Sequence, residues 1–139
     1  MNNLVISLDS LANIDNFDSL SKEHWEDFGN KTPDFNKAYL ESGKVITVRD
    51  NEKVVGYVLF FVGRCPAYEE NWCTVTMYYL QRKYRNAGVG SRMFDLLEQT
   101  AKQDGCVNLV ASYNHKQPLD SFYSRLGFNA THTVVAKEI

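Results

Sequence analysis

A mixed α/β fold follows from three features of the chain. Runs rich in β-branched and aromatic residues occupy 45–48, 54–62 and 72–80, a pair of glycines stands at 88 and 90, and an amphipathic run lies directly behind them. Strands separated only by turns pair antiparallel, whereas strand, glycine turn, long helix and further strand make a parallel crossover. The expected sheet is therefore antiparallel with one crossover unit, in the element order β-α-α-β-β-β-α-β-α-β. The 139 residues suit a single domain, 1–139, and no repeat, low-complexity tract or linker divides them.

Each element has its own signal. Leu4 to Leu8 reads as a first strand, and Ile14, Phe17, Leu20, Trp25 and Phe28 fall near helical spacing before a Gly29-Asn30 stop. Thr32 as N-cap and Pro33 in the first turn predict a second helix, with an apolar face from Phe35, Ala38, Tyr39 and Leu40, ending at Gly43. Asp50-Asn51 joins strands Val45–Val48 and Val54–Val62 into a hairpin, and a loop around Pro66 leads to a strand over Trp72–Leu80. In that strand alternation sets Thr74, Thr76 and Tyr78 on one side and Cys73, Val75, Met77 and Tyr79 on the other. Val89, Met93, Leu96, Leu97 and Ala101 form one buried helical face that ends near Gly105. Cys106–Ser112 reads as a fifth strand, Pro118–Leu126 as a short helix stopped by Gly127, and Phe128–Lys137 as closing strand.

Composition narrows the function. A net charge of −2 argues against a broadly basic nucleic-acid binder, and no nucleic acid is expected as partner. The longest apolar run, Val54–Val62, is too short for a bilayer, and the amino terminus lacks a signal segment, so the expected location is cytoplasmic with no membrane contact. Cys65, Cys73 and Cys106 show no ligand spacing, so no metal is expected and all three are read as reduced. Charge is unevenly spread. Residues 1–50 hold nine acids against five bases, a balance of −4, while 71–94 carry Arg82, Lys83, Arg85 and Arg92 and no carboxylate. The second stretch suits an anionic ligand.

Gly88 and Gly90 sit where a strand hands over to a helix. The first N–H groups of a helix have no partner within it and carry the positive end of its dipole, and missing side chains let a phosphate approach. A P-loop needs Lys-Ser or Lys-Thr after the second glycine, where this chain has Ser91-Arg92. The dinucleotide fingerprint needs a third glycine where Met93 stands.

Arg85-Asn86-Ala87-Gly88-Val89-Gly90 resembles the acetyl-CoA loop of the GNAT superfamily of N-acetyltransferases, Gln/Arg-x-x-Gly-x-Gly/Ala after the fourth strand. Ser121 to Phe128, SFYSRLGF, is similar to the family's second signature. The resemblance covers the element order of nearly the whole chain and, in residue detail, about 72–128. It departs from the common pattern at Arg82, where Pro is frequent, at Asn86, where Gly is frequent, and in a slightly longer loop between Asn114 and Tyr123.

What the resemblance implies is an α+β fold with a mostly antiparallel sheet of six to seven strands, about four helices and a splayed pair of central strands. It implies acetyl-CoA as acyl donor, its pantetheine arm along the backbone of Tyr78, Tyr79 and Leu80, and its pyrophosphate on N–H groups from Arg85, Asn86, Ala87, Gly88, Val89, Gly90 and Ser91, with Asn114 also at the cofactor. Tyr123 is implied as general acid toward the leaving thiolate. The acceptor pocket is expected around Trp25, Tyr68 and Trp72. An alkylammonium must lose a proton before it attacks. The family's strand-four carboxylate position holds Thr74, which leaves Glu70 as first choice for the base, with Glu69 and His115 behind it. The acceptor is a primary amine of a small molecule or protein, and the acidic excess in 1–50 favours a cationic one. The protein is expected to act as a monomer or homodimer. Two other readings remain: a catalytically silent module of the same fold that binds a partner protein, and nucleic-acid recognition through Arg82–Arg92, which lacks a stacking-aromatic array.

Overall fold

The computed structural model describes residues 3–65 and 67–139; Pro66, on which the expected loop centres, lies outside them. Five strands, β1 (Leu4–Asp9), β2 (Lys44–Asp50), β3 (Lys53–Cys65), β4 (Glu70–Leu80) and β5 (Asn108–Ala111), form one sheet in sequence order. Neighbours are antiparallel up to β4, and β4–β5 is parallel. The crossover between them is α3 (Val89–Gln103). The other helices are α1 (Phe17–Asp27), α2 (Lys37–Glu41) and α4 (Asp120–Arg125).

The helices cover both faces of the sheet because each presents one apolar stripe. Phe17 and Leu20 of α1 and Leu40 of α2 pack with Val45, Val54, Tyr57, Leu59, Met77 and Tyr79. On the other face Val89, Met93, Phe94, Leu97 and Ala101 of α3 and Tyr123 of α4 pack on Ile46, Val48, Val58, Phe60 and Val75. Burying such side chains contributes about 1.5–3 kcal/mol each before the ordering entropy is counted.

Three expectations are corrected. The sheet has five strands among the described residues, not six to seven. Residues 128–139 form no strand, and Val134 and Val135 are 81% and 88% exposed. β-branched composition favours a pleated, half-buried setting, but a strand exists only through ladder partners, and none pairs with this segment. Residues 30–36 are not helical. Asn36 caps α2, its Oδ1 accepting the Tyr39 N–H at 3.1 Å, so the helix starts four residues later than Pro33 suggested.

The alternation expected for β4 also breaks, with consequences for the site. Leu59 faces Met77 while its neighbour Phe60 faces Val75, so Thr76 is an extra residue bulged from the ladder. The bulge moves Met77 and Tyr79 to the α1 face, whereas Val75, Tyr78 and Leu80 belong to the α3 face. Pairing with β5 stops at Val75↔Ala111, and β4 runs on to Leu80 without it. The two parallel strands part at the bulge.

Candidate active site

The parting leaves a cleft of about 260 Å³. Its walls include His24 and Trp25 from α1, Tyr78 from β4, Asn114 and Gln117 from the segment after β5, and Tyr123 from α4. Among the described residues no Asp, Glu, Lys or Arg lines it.

At one border lies the glycine loop. Asn86 and Gly88 hold φ of 64° and 77°, the left-handed region that Gly enters freely and Asn tolerates. Asn86 thus takes up the conformation that a glycine would favour at this place in the turn. The Arg85 N–H is already used by the Arg82 carbonyl at 3.1 Å, but the amides of Asn86 through Ser91 have no acceptor among the described residues. Gly90 serves packing. A Cβ there would meet the Tyr78 hydroxyl at 2.6 Å and the Phe122 ring at 3.0 Å. Of the nearby cations, Arg82 and Arg85 are both tied to Asp27, at 2.7 and 2.8 Å. Burial on its own would raise the Asp27 carboxyl, but the Arg85 hydrogen bond and the two guanidinium charges hold it below its ordinary value. The carbonyls of Tyr78 and Leu80 accept from the side chains of Gln117 and Arg85.

Tyr78 and Tyr79 point to opposite faces. Tyr78 stacks on Phe122 with centroids 5.2 Å apart, and burial pushes its phenol up to about 12. Tyr79 is 1% exposed and donates to Glu23 at 3.1 Å. Burial, then the charges of Glu23 and Asp27, raise its phenol well above the ordinary value.

Tyr123 is 5% exposed, and its hydroxyl has no hydrogen-bond partner among the described residues although it is shielded from solvent. Its ring is fixed by Phe94, Phe128 and Tyr113 at 5.0–5.7 Å. Burial, with a smaller contribution from Tyr78, raises its phenol, so the hydroxyl stays protonated. The indole N–H of Trp25, another lining residue, is likewise buried and unpartnered among the described residues.

His24 and Gln117 escaped the sequence reading. His24 is 4% exposed, stacked between Trp25 and Tyr79 at 5.4 and 4.7 Å, with Nδ1 2.7 Å from the Tyr57 hydroxyl and Nε2 3.1 Å from Gln117 Oε1. Burial lowers its pKa against the opposing effect of the Gln117 bond. A histidine four residues after Leu20 on the buried stripe of α1 was the available signal; Gln117 offered none.

The remaining candidates lie elsewhere. Glu70 accepts from the Trp72 indole at 3.1 Å, six residues from Thr76 along β4, about 20 Å at the rise of a strand. Tyr68 stacks on Trp72 at 5.4 Å, so of the three expected acceptor residues only Trp25 reaches the cleft. Glu69 and His115 are exposed, as is Thr74.

The sequence profile of the acetyltransferase (GNAT) family matches residues 8–128. The chain belongs to this family. It is a GNAT-type N-acetyltransferase. Its fold is shared by solved structures of low sequence identity. A ribosomal-protein-alanine N-acetyltransferase from Brucella melitensis biovar Abortus 2308 superposes with a TM-score of 0.74 at 19% identity, covering 98% of this chain and 97% of that one. A transcriptional regulator from Bacillus halodurans C-125 gives 0.79 at 16%, with 99% and 100% covered. An aminoglycoside acetyltransferase from an uncultured soil metagenomic sample gives 0.79 at 13%, with 99% of each chain covered. No curated protein sequence matches the chain. No helix among the described residues of this GNAT protein is long and apolar enough to cross a membrane.

Proposed function

We propose that this acetyltransferase moves the acetyl group of acetyl-CoA to a primary amine by direct attack through a tetrahedral intermediate. The observation that carries the reading is Tyr123: a buried hydroxyl without a partner, on the wall of a cleft that opens where β4 and β5 part. Such a donor is left unpaired at a cost of about 1–3 kcal/mol, which a ligand acceptor removes.

The unpartnered amides of Asn86 to Ser91 fit the diphosphate of acetyl-CoA, because α3 begins there and no side chain covers Gly88. The open edge of β4 at Tyr78–Leu80 receives the pantetheine arm, with Asn114 across the cleft. Tyr123 donates to the sulfur as the carbon–sulfur bond breaks. Burial that raises the phenol also raises the basicity of a thiolate beside it, so donor and acceptor stay matched.

The acidic excess of residues 1–50 does not by itself favour a polycation. Part of it is met by cations from outside that segment, since Asp27 pairs with both Arg82 and Arg85 at 2.7 and 2.8 Å. Both a protein alanine and an aminoglycoside appear in the names of similar structures, which supports a primary amine as the acceptor class. Calorimetry with acetyl-CoA, followed by mass spectrometry of an amine and peptide panel, tests the reading. Binding and acetylation above background are expected; a folded protein that binds no acetyl-CoA defeats it.

A further inference from the structure

Gln117 spans the cleft with both ends of its carboxamide. Its Nε2–H donates to the Tyr78 carbonyl at 3.1 Å, and its Oε1 faces His24 Nε2 at 3.1 Å. The first contact decides the second. A backbone carbonyl only accepts, so the NH₂ end must face Tyr78 and the oxygen must face His24. That oxygen also only accepts, so His24 carries its proton on Nε2. Burial lowers the pKa of the ring and so favours its neutral form, in which Nδ1 is bare and accepts from the Tyr57 hydroxyl at 2.7 Å.

We propose that His24 Nε2–H and the Tyr78 carbonyl form the clamp for the acetyl group as it becomes an amide, and that Gln117 holds this place in the resting enzyme. His24 donates to the acyl oxygen, and the Tyr78 carbonyl accepts an N–H of the attacking amine. The proposal rests on the acetyl-transfer reading above. The Gln117 carboxamide has the O–C–N outline of a product acetamide and makes the same two hydrogen bonds such a product would make. The donor is also preorganised. The His24 ring is stacked on both sides and anchored at Nδ1 by Tyr57, which is fully buried, so it loses little freedom when charge develops. His24, Tyr78 and Tyr123 line one cleft, which lets one substrate touch all three.

The chemistry balances. The ammonium first loses one proton to solvent, and the amine then forms the carbon–nitrogen bond while the carbonyl π pair moves onto the oxygen facing His24. On collapse that pair returns, and the carbon–sulfur bond breaks with its electrons on sulfur, which takes the Tyr123 proton. The proton shed by nitrogen restores Tyr123. His24 keeps its own proton throughout.

Two measurements test this. The first needs no activity: ¹⁵N spectra of the histidine rings should show His24 protonated at Nε2, and an Nδ1–H tautomer overturns the proposal. The second compares His24→Asn with His24→Gln. The Asn amide reproduces only the Nδ1 side and leaves nothing at Nε2, whereas the Gln amide restores an N–H near the Nε2 position. Expected is a kcat loss of about 10²–10³ for His24→Asn, with His24→Gln within about one order of magnitude of wild type. The groups facing His24 are Tyr57, Tyr79, Arg85 and Asp27, with Glu23 behind Tyr79, and their ionisation is common to all variants. Equal losses in both His24 variants with disappearance of an acid limb of the pH–rate profile would make His24 a base and overturn the donor role. So would unchanged kcat in folded His24→Asn. A wild type that binds no acetyl-CoA refutes the acetyl-transfer reading instead, and the ring spectrum still decides the tautomer.

Discussion

The Arg85 guanidinium lies 2.8 Å from the Asp27 carboxylate, which ties the first residue of the glycine loop to the end of α1. Its Nε also donates to the Leu80 carbonyl at 2.7 Å, and the group sits 5.5 Å from the Phe28 and Tyr79 ring centroids. The side chain at the head of the motif therefore joins the two walls of the cleft, while the backbone behind it stays free.

Arg85→Ala should destabilise the fold by about 1–2 kcal/mol, since it takes a guanidinium only 29% exposed from a carboxylate 17% exposed and leaves the more exposed Arg82 as the remaining cation on it. Urea unfolding measures this. The pH dependence has a defined sign: the Asp27 carboxyl is held below its ordinary value in the fold, so its contribution is complete above the unfolded value and disappears as pH falls through the folded one. The wild type should lose more stability than Asp27→Asn over that acid window. Parallel curves would remove the pair from the stability account.

The two glycines should fail in different ways. Gly88 has φ of 77° and open space around it, so Gly88→Val strains the turn, covers the amides and abolishes acetyl-CoA binding while the protein remains folded. Gly90→Ala pushes on the Tyr78 hydroxyl and the Phe122 ring and should lower the melting temperature as well. Calorimetry and thermal melts on the same samples separate these effects. Full affinity in folded Gly88→Val would sink the anion cradle.

Tyr123→Phe should cut turnover by about 10²–10⁴ with acetyl-CoA affinity nearly constant. Stability should not fall, because the hydroxyl it removes has no partner in the fold. Wild-type turnover under conditions where chemistry limits the rate excludes the acid role.

Glu70→Gln should leave the pH–rate profile unchanged, because its carboxylate bonds to Trp72 at the far end of β4. A loss confined to low pH would return the base assignment to Glu70.

Local pattern in the chain was enough for the elements that depend on nearest neighbours. The apolar stripe of α3, the hairpin of β2 and β3, the left-handed stop at Gly127 and the unpaired start of a helix after Gly88 each follow from a few adjacent residues. Residues 128–137 have the composition of a strand and form none, because strand formation needs a partner that composition does not specify. Of the proposed site, the parts marked in the sequence are the glycine loop at 85–91 and Tyr123, the latter on the cleft wall. Only the tertiary structure set Glu70, Tyr68 and Trp72 apart from the cleft and brought His24 to Gln117. Two causes account for this: the cleft opens only from Thr76 onward, where β4 runs on without β5, so Tyr68, Glu70 and Trp72 lie before it, and a hydrogen bond between residues 93 positions apart leaves no trace in local spacing.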